Sequence, residues 1–211
     1  FAVFIYTRVP EFLIRLLVWM LTNVLYRIKE QGMENIPDEG PCLLVCNHVS
    51  YVDALLLGGA VRRPVRFVMA KPIYDLPLMN YIFRTGKAIP IDAKERNPEI
   101  YQQAFERINE ELADGQVVCI FPEGKLTRDG ELAEFKTGME KIVNENRVPV
   151  IPMALSGLWG SFFSHKGGPA LTRLPKRFWS RVKLNVGEAV TADQVASQDM
   201  RRRVLGLRER P

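Results

Sequence analysis

Ligands for a soft metal are scarce in this chain. Its 211 residues include 2 histidines and 3 cysteines. His48, His165, Cys42, Cys46 and Cys119 show no zinc-ligand spacing. The cysteine count is odd, and each cysteine sits inside an apolar, strand-like run. That excludes a closed disulfide framework and predicts reduced, buried thiols in a reducing compartment. There is no internal repeat, no low-complexity tract and no signal-peptide pattern with a small-residue cleavage site. Long apolar runs are missing too. A spanning helix needs roughly 20 consecutive apolar residues, and Pro10, Glu11 and Arg15 break the apolar N-terminal stretch. It does not cross a bilayer on its own. No nucleic-acid-binding motif is present, so the basic character of the chain does not point to a nucleic acid.

What is present is ordinary in amount and informative in arrangement. A hydrophobic content of 47% and a charged content of 25% suit a folded globular chain of one domain. The net charge of +5 suggests an anionic partner, either a phosphate-bearing molecule or a membrane surface. Residues 1–30 read as an N-terminal segment of their own. Their apolar and aromatic residues are punctuated by Arg8, Arg15, Arg27 and Lys29, as in an amphipathic helix lying in a membrane interface with Trp19 and Tyr26 near the headgroups. A core helix is the other reading. Leu158-Trp159-Gly160-Ser161-Phe162-Phe163 crowds three aromatics together. Beyond it, Arg173, Lys176, Arg177, Phe178, Trp179, Arg181 and Lys183 mix cations with aromatics. Both stretches suit an interfacial surface, with burial of the aromatics in the core or in an acyl tunnel as the alternative. The last arginines, Arg201, Arg202, Arg203, Arg208 and Arg210, read as a solvated basic tail.

Between residues 31 and 211, strand-like and helix-like runs alternate. Cys42–Cys46, Arg66–Ala70, Lys87–Asp92, Val117–Phe121, Val148–Leu155 and Val182–Val186 read as strands, with Pro90 sending the third to a sheet edge. Helices are expected after Asp53, over 72–83, from Asn97 to Asp114 and over 135–146. Asn97, Pro98 and Glu99 form the clearest helix start. The pattern predicts a single α/β domain with a largely parallel central sheet flanked by helices, preceded by the N-terminal segment.

Polar clusters stand where two of these strands end. Asn47-His48-Val49-Ser50-Tyr51-Val52-Asp53 follows the first strand. A histidine takes a proton near neutral pH, and it works best with its second ring nitrogen held by a carboxylate. His48 and Asp53 supply that pair, although Asp53 also suits a helix cap. Ser50 lacks the setting of a nucleophile elbow. Phe121-Pro122-Glu123-Gly124-Lys125-Leu126-Thr127-Arg128 follows another strand. Gly124 permits close backbone approach, Glu123 suits substrate hydroxyls, and Lys125 and Arg128 suit a phosphate. A charged surface turn is the plain alternative. In a parallel sheet both clusters fall on one rim, the rim where α/β sheets bind ligands.

From about residue 30 to about residue 157 these stretches resemble the glycerophospholipid acyltransferase family. Asn47, His48 and Asp53 match its Asn-His-x4-Asp block, and Phe121 to Gly124 match Phe-Pro-Glu-Gly in full. Gly86-Lys87-Ala88-Ile89-Pro90-Ile91-Asp92 is similar to its second block with the isoleucines displaced by one. Val148-Pro149-Val150-Ile151-Pro152 matches the fourth block, and Phe135-Lys136-Thr137-Gly138 is also familiar from that family. Two departures stand out. Lys125 and Leu126 replace the usual Thr-Arg after Gly124, and Ala93 replaces the arginine after Asp92, with Lys94 and Arg96 close by.

The resemblance implies transfer of a fatty acyl group from acyl-carrier protein or coenzyme A to the free hydroxyl of a lysophospholipid. No metal or other cofactor is called for. His48 would be the general base and Asp53 its orienting partner. Asn47, Lys87, Arg96, Glu123, Gly124, Lys125 and Arg128 would bind substrate, with the phosphate-holding cation open among them. Backbone amides near Gly124 or in the 47–53 turn would meet the oxyanion. The Phe-Pro-Glu-Gly-Lys-Leu-Thr form resembles the 2-acylglycerophosphoethanolamine branch, whose modules are often fused to a lysophospholipid transporter and an acyl-carrier-protein synthetase. An apolar start at Phe1 suits such a bacterial excision. A 1-acylglycerol-3-phosphate acceptor is the alternative, and a lysophospholipid hydrolase or a non-catalytic lipid-binding module are alternatives of other classes. The expected location is peripheral, on the cytoplasmic side of the inner membrane.

Overall fold

A computed structural model describes residues 26–77, 79–160 and 180–209. The strands are β1 (Tyr26–Gln31), β2 (Cys42–Cys46), β3 (Val65–Ala70), β4 (Ile89–Ile91), β5 (Val117–Ile120), β6 (Val150–Ser156) and β7 (Ser180–Val186). The helices are α1 (Asp53–Ala60), α2 (Lys71–Tyr74), α3 (Met79–Thr85), α4 (Pro98–Ala113), α5 (Gly138–Asn146) and α6 (Ser197–Arg208). All seven strands join one sheet in the order β1-β7-β6-β2-β5-β3-β4. Neighbouring strands run parallel except β6 and β7, which are antiparallel.

The central strand shows why the sheet forms. Every residue of Cys42-Leu43-Leu44-Val45-Cys46 is shut off from solvent, as a parallel strand covered on both faces must be. Alternate residues serve opposite faces. Cys42, Leu44 and Cys46 pack with Leu56 and Leu57 of α1. Leu43 and Val45 pack with Phe105, Ile108 and Leu112 of α4 and with Met139 and Ile142 of α5. Asn97 caps α4 by accepting the Ile100 N–H at 3.1 Å. β4, with its Pro90, takes the sheet edge, where a missing N–H costs nothing.

Three segments depart from the sequence reading. The expected helix over 72–83 is two short helices, α2 and α3, flanking Pro77, which lacks an N–H and cannot continue a helix. Residues 26–30 are not part of an interfacial helix: they are strand. β1 pairs with β7 in the register Tyr26↔Ser180, and Tyr26 is buried rather than near headgroups. The basic tail is the helix α6. It buries Met200, Val204 and Leu207, and its Arg201 donates to the Leu132 and Ala133 carbonyls at 2.7 and 3.0 Å. Leu158 is buried and Trp159 packs against the core. Residues 1–25 and 161–179, where the interfacial helix and most of the aromatic–basic stretch were expected, lie outside the described residues. No helix among the described residues is long and apolar enough to cross a membrane.

Candidate active site

Strands β2, β5, β3 and β4 are parallel neighbours, so their carboxyl ends lie on one rim of the sheet. The turns after β2 and β5 are therefore side by side. They are also bonded together: Thr127 N–H donates to the His48 carbonyl at 3.0 Å, and His48 N–H donates to Glu123 Oε1 at 2.7 Å.

The ring of His48 is held on two sides. Its Nδ1 lies 2.9 Å from Asp53 Oδ2, and its plane stacks on Phe121 with centroids 4.2 Å apart. Asp53 opens α1 and is fully buried. The same Oδ2 accepts the N–H groups of Val49 and Ser50 at 2.7 and 2.9 Å. A carboxylate anchored by two backbone donors is a fixed acceptor, which assigns the Nδ1–H tautomer to a neutral His48 and leaves Nε2 with a lone pair. The His48 side chain is 23% exposed, enough to meet a substrate. A general base and its orienting acid are thus assembled within six residues of sequence.

Other expected site residues divide into two groups. Arg96, Gly124, Lys125 and Arg128 line a cleft of about 1660 Å³ that His48 also borders. Gly124 has φ +67°, a left-handed conformation, and a Cβ there would meet Lys136 Nζ at 2.7 Å. Arg96 reaches Asp92 at 3.4 Å and remains mostly exposed. Asn47, Glu123 and Lys87 are placed elsewhere. Asn47 is buried, with Nδ2 donating to the Leu155 carbonyl at 2.9 Å and Oδ1 accepting the Leu155 N–H at 2.8 Å. It ties the end of β2 to β6. Both Glu123 oxygens are spent on backbone donors, His48 N–H and Ala133 N–H, the second at 2.8 Å. Burial pushes the Glu123 carboxyl above the ordinary glutamate range. Lys87 is exposed, does not line the cleft, and lends its charge to Glu111 of α4.

Lys94, noted beside the missing arginine of the second block, also lines the cleft, and so does Lys136, to which the sequence assigns no role in binding. The signal for Lys136 was its place in Phe135-Lys136-Thr137-Gly138. Most of the remaining lining is apolar and includes Leu55, Phe67, Met69, Ile73, Ile82 and Phe83. The three cysteines are free and buried, and burial pushes the Cys42 thiol up to about 11, so none is a ready nucleophile. Of the oxyanion donors expected near Gly124 or in the 47–53 turn, four are occupied: the N–H groups of His48, Val49 and Ser50 go to carboxylates, and that of Gly124 goes to the Phe121 carbonyl at 2.9 Å.

Known proteins resemble this chain in sequence and in fold. A family model described as "Acyltransferase" matches residues 27–156. A chloroplastic 1-acyl-sn-glycerol-3-phosphate acyltransferase of Brassica napus is 31% identical over 133 residues, 63% of this chain and 38% of that protein. An N-acylphosphatidylethanolamine synthase of Arabidopsis thaliana is 30% identical over 177 residues, 76% of this chain and 60% of that protein. The chain therefore spans less than two thirds of either relative. The crystal structure of the 1-acyl-sn-glycerophosphate acyltransferase PlsC from Thermotoga maritima has the same fold, with a TM-score of 0.66 at 23% identity. That match covers 93% of this chain and 75% of the other.

Proposed function

The chain belongs to the glycerophospholipid acyltransferase family, and on that premise we propose that it moves a fatty acyl group from a thioester to the free hydroxyl of a lysophospholipid. The observation that carries the reading is the His48–Asp53 pair bordering a largely apolar cleft that cations also line. Nε2 of His48 takes the proton of the acceptor hydroxyl as that oxygen attacks the thioester carbon. The C–O bond forms, the carbonyl oxygen becomes an oxyanion, and its collapse breaks the C–S bond. The proton then passes from Nε2 to the departing thiolate, and the histidine ends as it began. Asp53 holds the ring and stabilises the imidazolium that forms in between. The acceptor oxygen is itself the nucleophile, so neither Ser50 nor a cysteine has to carry the acyl group. Among the described residues, Lys125 and Leu126 have backbone N–H groups bonded to nothing else, which supports a role as oxyanion donors.

The apolar lining suits an acyl chain, and Arg96, Lys125, Arg128 and Lys136 suit the phosphate of the acceptor. The relatives' names favour 1-acylglycerol-3-phosphate, whereas Phe121 to Thr127 favour 2-acylglycerophosphoethanolamine in a fusion with a transporter and a synthetase. Acyl-carrier protein or coenzyme A carries the donor, and the site works at the cytoplasmic face of the inner membrane as a peripheral enzyme. One panel tests the reading: purified protein with both lysolipids, each with acyl-carrier-protein and coenzyme A thioesters and with no donor. Donor-dependent formation of the diacyl product is expected. Loss of the lysolipid's own acyl chain without a donor would instead make the protein a hydrolase.

A further inference from the structure

Three consecutive backbone N–H groups, those of His48, Val49 and Ser50, all end on carboxylates. The last two and the His48 ring share one oxygen of Asp53. The first goes to Glu123, a residue 75 positions away. The His48 carbonyl is held as well, by Thr127 N–H of the same turn. Both polar backbone atoms of His48 are thus fastened to the turn after β5, whose Phe121 also supports the imidazole.

Glu123 has little left for a substrate. It is 2% exposed, and its second oxygen accepts the Ala133 N–H in a loop that Arg201 of α6 grips through two carbonyls. We infer that Glu123 is a positioning residue that fixes His48 through its backbone, and does not bind the acceptor's hydroxyls. Asp53 sets the rotation and tautomer of the ring, while Glu123 sets where the ring is anchored. A buried carboxylate with two charge-assisted backbone bonds is a stiff brace. Its loss leaves two half-buried donors unpaired, and the 48–50 turn shifts as they seek water.

The kinetic arm of the test rests on the acyl-transfer reading. Full-length Glu123→Ala and Glu123→Gln are compared with the parent by circular dichroism and then by steady-state kinetics. A displacement of about 1 Å costs on the order of 10²-fold in rate, so kcat should fall by about 10²-fold in the alanine variant and by less in the glutamine variant. The lysolipid KM should stay within about twofold, because Glu123 braces the protein backbone and does not touch the lysolipid. An unchanged kcat with a lysolipid KM raised about tenfold or more would make Glu123 a substrate ligand and overturn the inference. If the alanine variant does not fold, the glutamine variant, which keeps one accepting oxygen, carries the comparison. The second arm needs no turnover. In a His165→Gln background, the ¹⁵N shifts of the single remaining imidazole should report the Nδ1–H tautomer in the parent and an averaged mixture in Glu123→Ala. An unchanged spectrum, with kcat falling only in step with the folded fraction, reduces Glu123 to a stability role and ends the proposal. A parent without acyl transfer would defeat the reaction reading, and the imidazole spectra would still decide the role of Glu123.

Discussion

Replacing His48 with alanine removes a ring held by Asp53 and Phe121 but keeps both backbone bonds to the neighbouring turn. The fold should survive, while acyl transfer should fall by about two to four orders of magnitude, the range for a lost acid–base group. Near-normal turnover in a folded His48→Ala protein would rule out its role as base. Asp53→Asn keeps an oxygen for the Val49 and Ser50 N–H groups but loses the charge that stabilises the imidazolium. It should retain the circular dichroism spectrum of the parent and be severely slowed in kcat. Glu123 gives a different signature, in stability. Burial raises its carboxyl, so the native chain holds that proton more tightly than the unfolded chain does. The stability from this group is whole below the ordinary glutamate value, roughly pH 4.3, and is lost as pH rises through the raised native value. Thermal melts across that window should show the parent losing ground against Glu123→Gln as pH increases. A difference that does not vary with pH would contradict the assignment. The His48–Asp53 pair was legible in the sequence because its members are five residues apart. The work of Asn47 and Glu123 was not, because their partners stand 108 and 75 residues away.

Elements were legible where local chemistry and packing agree. β2 is an apolar run between turn residues, and α4 has its own cap, its proline and an apolar face. Elements specified mainly by distant partners were not. β1 is charged and becomes a strand only by pairing with β7, and α6 reads as a solvated tail because its run of arginines masks the buried stripe of Met200, Val204 and Leu207. The same limit applies to the cations. Sequence placed Lys125 and Arg128 in one turn, but it could not show that α5 is preceded by a lysine lying over Gly124, or that Lys87 does not line the cleft. We expect neutralising Arg128 or Lys125 to raise the lysolipid KM far more than the thioester KM, with Arg128 the larger because a guanidinium grips phosphate in two places. Lys136→Gln should act in the same direction. Lys87→Gln should leave lysolipid saturation unchanged. Saturation curves for the four variants check the assignment. If Lys87→Gln alone moves the lysolipid curve, the phosphate lies outside this cleft.

At the scale of the whole molecule, the proposed acceptor is a lipid, and on that proposal the rim carrying His48 has to meet a bilayer. A net charge of +5 favours an anionic surface. Each basic residue near such a leaflet contributes about 1 kcal/mol, and salt screens that attraction within a Debye length of about 8 Å at physiological ionic strength. Apolar insertion is not screened. The segment before Tyr26, with Phe12, Leu13, Ile14, Leu16, Leu17 and Trp19, is the proposed source of the apolar term. Because β1 begins at Tyr26 and pairs with β7, a truncation that removes residues 1–24 keeps the sheet edge whole, whereas one reaching residue 28 would cut into it. The full chain should therefore sediment with liposomes, more tightly as anionic lipid is added, and added salt should weaken binding without abolishing it. The truncated chain, once shown to keep the parent's circular dichroism, should bind anionic liposomes at low salt and lose them at high salt. Salt-resistant sedimentation equal to that of the full chain would move the apolar anchor away from residues 1–24.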